Sequence, residues 1–588
     1  MNEVWNLDPI YKGFDDPAFE KDLKSAKEAI AQFADFVQQL QDRDPKEALR
    51  RGIELQETIS TYAEKLALYA SLRQSADTRD PDAASQMGRL MAVYSSTAAP
   101  EAAFQEWAAK LPNLEELIQG DEVLREYAFL LGKMKKSSRY LLSGRGEEIM
   151  ARMRLSGGNA WSDLQSYLTS TVKVHYDGGI TNLPTVRNLA YDADPGVRKA
   201  AYEAELACYE SIKDAVAFAL NSIKLETITD CKLRGYASPL ERTLKHSDMS
   251  RATLDAMLGA MDEYLPVFWK YLRAKAKALG HENGLPWYDL FAPMGRAARK
   301  YTTEEARDYL LKQFATFDDE LTGMVAKAFD EAWIDFYPRS GKTGGAFCSG
   351  VDCLGESRIL TNFDGIFSDI VTLAHELGHA FHNWCLKEQR PMNRDYSMPV
   401  AETASTFNEC IVMNAAIAAA TDKDELLSLI ETQLQDVCQI ICDIYSRFRF
   451  EAMVFENRAD SFMHADDLCA LMRKAQKECY GDGLDHNVLH PYMWVCKSHY
   501  YGPTFYNFPY AFGGLFARGL YAQYQKEGAA FVPKYKKLLQ TTSVATAEDT
   551  AAVAGIDLTD REFWRGALQS VADQIDLFCQ LVEEENAE

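Results

Sequence analysis

The sequence predicts a mainly α-helical protein with a small β element. Apolar residues recur at three- and four-residue steps, with polar faces between them, through residues 19–40, 48–72, 254–279 and 424–449. That period belongs to amphipathic helices. Two stretches, residues 172–184 and 341–363, break the helical texture with glycine and β-prone residues. The composition, 47% hydrophobic and 26% charged, suits a packed globular chain rather than a disordered or fibrous one. At 588 residues the chain exceeds one ordinary core, so several packed units are expected.

The elements follow in order. The first helix ends near Leu40, where QDRDP and Pro45 read as a stop. Residues 172–184, VKVHYDGGITNLP, alternate and then turn through a glycine pair, the pattern of a short strand and turn. A helix restarts after Pro195 in DADPGVRKAAYEA. This places a boundary near residues 185–195, separating an N-terminal helical region (1–190) from the remainder (191–588). Pro266 is expected to kink or divide the helix at 254–279. Within 341–363, Gly344, Gly345 and Gly350 punctuate β-prone pieces at 346–348 and 357–362. A hairpin or edge-strand pair fits them. It directly precedes the helix at 369–384 and so is placed to line any site that helix carries. The acidic tail EEENAE, residues 583–588, is expected to fray.

Charge and cysteine usage narrow the function classes. A net charge of −24 argues against a phosphate-backbone partner, which calls for a basic surface. No apolar run reaches the ~18 residues of a bilayer span. MNEVWNLDPIYKGFDDP shows no basic stretch followed by an apolar one, so no secretory signal is predicted. The 12 cysteines are scattered without a CxxC pair, as expected of reduced thiols packed as small hydrophobes. A cytoplasmic protein, with neither nucleic-acid nor membrane partner, is the expectation.

The most informative stretch is residues 369–384, DIVTLAHELGHAFHNW, which contains His375-Glu376-x-x-His379. At about 100° per residue, positions i and i+4 differ by about 40° around the helix. Both imidazoles therefore leave one face and can hold a single zinc ion, with Glu376 in reach of the water it activates. Gly378 costs about 1 kcal/mol in a helix interior, which implies that another element or the substrate passes close by. A third histidine ligand six residues on is absent, since that position is Cys385. His382 shares the face and is a rival, though ligation with both neighbours from one helix is awkward. Glu402, in PVAETASTFNEC, is the better third ligand, projecting from the first turn of a helix begun by Pro399. Alone it would read as an acidic first-turn residue favoured by the helix dipole; beside two histidines it completes a His₂Glu set. Glu409, seven residues later on the same face, is placed to accept a hydrogen bond from a ligating imidazole.

Residues 499–514, HYYGPTFYNFPYAFGG, are dense in His, Tyr and Phe, with a helix expected behind them at 511–521. By composition the loop reads as aromatic packing; beside zinc, its phenol and imidazole groups could donate to an oxyanion.

HELGHAFH, AETASTFNE and HYYGPTFYNFPYAFGG, in this order, resemble the oligoendopeptidase F branch of the thimet oligopeptidase family of zinc metallopeptidases. SRILTNFDGIFSDIVTLAHELGHAFH and the motifs of residues 238–295 resemble it too, so the likeness spans roughly residues 190–588. The N-terminal part resembles that branch only loosely. The resemblance implies a two-lobed helical metallopeptidase with a deep channel admitting short unstructured peptides, with 191–588 as the catalytic zinc peptidase domain. It implies one Zn²⁺ per chain on His375, His379 and Glu402, with Glu376 as general base, Glu409 supporting the ligand shell and His499 stabilising the transition state. Tyr506 and Tyr510 are the chosen oxyanion donors and Tyr501 a further candidate, because the loop is one residue longer than the branch pattern. The strand-like piece would pair with an extended substrate backbone. The expected activity is internal cleavage of short oligopeptides. The alternatives are a carboxypeptidase with the same metal site and a catalytically silent peptide-binding zinc protein.

Overall fold

The computed structural model describes residues 2–295 and 299–585, and the fold is mainly α-helical, as the periodicity predicts. The N-terminal region opens with α1 (Pro17–Val37) and α2 (Pro45–Ala76). Asp16 and Asp44 cap these helices and a proline stands in each first turn, a position where its missing N–H costs nothing. A single 3₁₀ turn at Leu40–Asp42 separates them, so the stop falls where QDRDP places it. Two apolar clusters serve this region. One contains Phe33, Ile53 and Phe104; the other contains Tyr11, Tyr69 and, from the distant β element, Val351 and Leu360.

Residues 172–184 form a hairpin, β1 (Val174–Tyr176) with β2 (Gly179–Thr181). Its turn residues Asp177 and Gly178 both have positive φ, 49° and 71°, the backbone that suits a two-residue hairpin. From Val172 onward one continuous core extends to Val582. Within it α3 (Arg251–Ala278) passes through Pro266 without a break. The expected division does not occur, because α3 packs along most of its length against the last helix of the chain, which offsets the lost hydrogen bond.

The β element has three strands in the order β3-β5-β4. β4 (Phe347–Val351) pairs antiparallel with β5 (Glu356–Leu360), as expected. The two-residue β3 (Ile334–Asp335) joins β5 in parallel and is too short to read from sequence. β4 is left as an edge and packs on α4 (Phe367–Leu386). There follow α5 (Thr403–Ala419), α6 (Lys423–Cys438), α7 (Phe508–Glu527) and α8 (Arg561–Glu585). A π-turn at Gln439–Asp443 joins α6 to the helix Ile444–Arg458, a wide turn often found beside functional sites. α8 keeps Glu583–Glu585 helical, so that part of the tail does not fray as expected; residues 586–588 lie outside the described residues. No helix among the described residues is long and apolar enough to cross a membrane.

Candidate active site

α4 starts where the Asp369 carboxylate accepts the backbone N–H groups of Asp364, Gly365 and Ile366, at 2.8, 2.8 and 3.1 Å. This clamp orients the helix that presents His375 and His379. Their Nε2 atoms lie 3.2 Å apart. Glu402 Oε2 stands 3.3 Å from the first and 3.4 Å from the second. Ligand atoms 2.0–2.1 Å from one tetrahedral zinc stand about 3.3 Å from each other, so the three atoms fit such an ion. Among the described residues this is the one such convergence of His, Cys and acidic groups.

Two of the three are held from behind. Glu409 Oε1 takes the Nδ1 of His375 at 2.5 Å, as its spacing from Glu402 suggests. Glu402 sits at the junction between the turn Met398–Ala401 and α5. Ser405 Oγ donates to its Oε2 at 2.8 Å, a contact with no sequence signal. Gly378 marks where α5 crosses α4. A Cβ there would lie 2.4 Å from the Ala404 carbonyl oxygen and 2.5 Å from the Ser405 Cα, so the close element is α5. Burial disfavours a charged His375, but hydrogen bonds to Glu402 and Glu409 outweigh it and hold its pKa up at about 10. Burial acts in the opposite sense on Glu402, whose hydrogen bonds to His375 and His379 nevertheless hold it far below the usual carboxylate range. A site with this much negative charge attracts cations, and protons compete with a metal for the same nitrogens.

Glu376 is 6% exposed and has no hydrogen-bond partner among the described residues. Burial raises its pKa, with the neighbouring histidines pulling the other way. Across from it lies Cys348 of β4, whose thiol is pushed up by burial and then by the Glu376 charge.

His382 does not belong to the cluster. It is fully buried, hydrogen-bonded through Nε2 to Thr542 Oγ1 at 2.8 Å and stacked 4.0 Å from Tyr396. Burial drives its pKa down to about 3. Its rivalry for the metal ends there.

The aromatic loop brings His499, Tyr506 and Tyr510 together, with ring centroids 5.7, 6.0 and 5.8 Å apart. Burial, with Arg447 and Lys497 adding to it, lowers the His499 pKa to about 4. Tyr510 is pushed up to about 12 by burial, Tyr506 and the Glu402 charge, which puts its phenol within the field of the metal-site carboxylate. Gly513, next along α7, is the contact: a Cβ there would be 2.9 Å from Glu402 Cβ. Tyr501 is not available, because its hydroxyl donates to the Trp494 carbonyl at 2.8 Å in a buried setting. His464 caps the helix Ala465–Tyr480, while His486 and His490 bond to the Gly481 carbonyl and Glu205. All 12 cysteines are free.

Two histidines one turn apart, a carboxylate from a crossing helix and a buried glutamate beside them, on a mainly helical fold, define a metallopeptidase. The chain belongs to peptidase family M3, whose sequence model matches residues 188–570; a model described as Oligopeptidase F matches residues 98–173. It is accordingly a metallo-oligopeptidase. It is 24% identical over 592 residues to Oligopeptidase PepF of Bacillus subtilis, covering 99% of this chain and 87% of that one. Among solved structures, a Chlamydophila abortus protein superposes with a TM-score of 0.86 at 21% identity over 98% of both chains. Oligoendopeptidase-F from Enterococcus faecium superposes at 0.72 and 18% identity, over 96% of this chain and 98% of the other.

Proposed function

We propose that the protein is a zinc-dependent endopeptidase that cuts internal bonds of short unstructured oligopeptides. His375, His379 and Glu402 hold one Zn²⁺, and the observation that carries this is the 3.2–3.4 Å spacing of their three ligand atoms. Bound there, the ion supplies Lewis acidity for polarising water and the scissile carbonyl. Glu376 takes the proton of the attacking water on its carboxylate and delivers it to the leaving amine; its lack of a competing hydrogen bond leaves it free for both transfers. Neutral His499 and the phenols of Tyr510 and Tyr506 donate to the oxyanion as it develops. Edge strand β4, beside α4, has an open side on which an extended substrate backbone can pair. Residues 1–190 form the helical N-terminal region and 191–588 the catalytic domain.

The test is cleavage of an internally quenched peptide of about ten residues with and without a zinc chelator. Chelator-sensitive cleavage that added zinc restores, with internal cuts by mass spectrometry, is the expected outcome. Stepwise loss of terminal residues would replace the endopeptidase reading by an exopeptidase one. Peptide bound but never cut would replace both by a silent binding protein.

A further inference from the structure

A cavity of about 790 Å³ opens beside the metal cluster, reaching from His375 and Glu409 between α5, α6 and α7. Arg518 of α7 lies in its wall and is 8% exposed. Its charge has no counterpart: Nη1 reaches Cys410 Sγ at 4.0 Å, Nε is buried without an acceptor, and no carboxylate lies within 4 Å among the described residues. Other deeply buried cations of the chain are paired, Lys224 with Glu451, Lys275 with Glu431 and Arg198 with Asp289. A buried cation left unpaired is strongly unfavourable unless something else supplies the anion. Gln433, in the same wall and 4% exposed, also has a side-chain oxygen without a partner.

We propose that Arg518 is the anion-recognition residue of this chamber and binds a carboxylate of the oligopeptide substrate. The guanidinium offers a planar fork matched to a carboxylate. Its position sets the reach. Gly513 abuts Glu402, and Arg518 lies five residues further along α7, about 7.5 Å along the axis and about 140° around it. Two to three residues of extended peptide cover that separation. Asp436, which faces the same cavity, does not neutralise the arginine. Burial and the Glu409 charge raise its carboxyl to about 7 against the pull of Arg518, so near neutrality it is only partly charged. The carboxylate can come from the substrate's C-terminus or from an acidic side chain two residues past the cut.

This assignment rests on the peptidase reading, and the experiment separates the two. The wild-type protein and Arg518→Gln are given matched quenched peptides: one with a free C-terminus two or three residues beyond the cut, its C-terminal amide, and an amide carrying Glu there. Wild type is expected to favour the free acid over the plain amide by about 10- to 100-fold in kcat/KM, the worth of a hydrogen bond to a charged group, mainly through KM. Arg518→Gln brings that ratio close to one, and Arg518→Lys restores part of it. If the Glu amide matches the acid, either carboxylate serves; if it matches the plain amide, only the C-terminus does; and if only the Glu amide is favoured, the side chain is the source. Equal wild-type rates for all three peptides overturn the proposal, as does an equal loss on all three in Arg518→Gln. Anisotropy binding of the same peptides to Glu376→Gln gives the ratio without turnover. Preference for the acid there, with no cleavage by wild type, keeps Arg518 and sinks the peptidase reading; cleavage without any preference does the reverse.

Discussion

Glu376 and Glu409 flank His375 but do different work. Glu376 sits buried beside the ligand pair with no hydrogen-bond partner among the described residues, whereas Glu409 is spent on His375 Nδ1. Glu376→Gln is therefore expected to keep its metal by elemental analysis while kcat falls about 10²- to 10⁴-fold; undiminished metal-dependent turnover would remove it from the proton-transfer role. Glu409→Ala should act through the metal instead. Its loss leaves the imidazole unoriented, and a rise of about 10- to 100-fold in zinc Kd is expected by competition with a chromophoric chelator. An unchanged Kd would make the His375–Glu409 contact incidental. Both glutamates were legible in the sequence, Glu376 from its motif and Glu409 from its seven-residue offset along one helix. Ser405 was not, because a serine three residues into a helix reads as a capping or surface residue until Glu402 is seen beside it.

At the level of elements, the site depends on how closely α4 and α5 cross. Gly378 permits the contact, with the Ala404 carbonyl and Ser405 Cα where a side chain would begin. Gly378→Ala adds helix propensity worth about 1 kcal/mol, yet the backbone opposite has no flexible end to move. We expect net destabilisation of about 1–3 kcal/mol from overpacking and weaker metal binding, since α5 carries Glu402 and Glu409. A variant with raised Tm and full metal content would show that the crossing has slack. The sequence placed a close neighbour at Gly378 without identifying it. It also expected Pro266 to kink or divide α3, and α3 runs through it as one helix packed on α8.

Across the whole molecule, two histidines held neutral subtract stability on the acid side. His382 has its pKa driven down to about 3, and that of His499 is lowered to about 4, against about 6.5 in an unfolded chain. Below pH 6.5 the unfolded chain takes up protons that the folded one refuses. Each histidine then subtracts up to about 1.4 kcal/mol per pH unit, until the folded form also titrates near pH 3–4. Above pH 6.5 neither contributes a slope. Because His375, held up at about 10, and Asp436, raised to about 7, add slopes of the opposite sign, the His382 share is read by difference: from pH 7.5 to 5 the urea midpoint of the wild type should fall relative to that of His382→Asn. A difference between the two proteins that does not change down to pH 5 would contradict the burial of the His382 ring. The sequence by itself determined the helical class and put His375 and His379 on one face of α4 with Glu402 and Glu409 as candidate partners, because 3.6-residue periodicity and one-turn spacing are local and survive without knowledge of packing. Only the tertiary structure decided that His382 answers to Thr542, that Tyr501 is spent on Trp494, that Tyr510 approaches Glu402 with His499 beside it, and that Arg518 faces a cavity unpaired. Apart from the Tyr501 contact, seven residues long, those facts join elements about a hundred residues apart or more, and which partner a buried polar group finds is settled by how helices pack, on which spacing along the chain is silent.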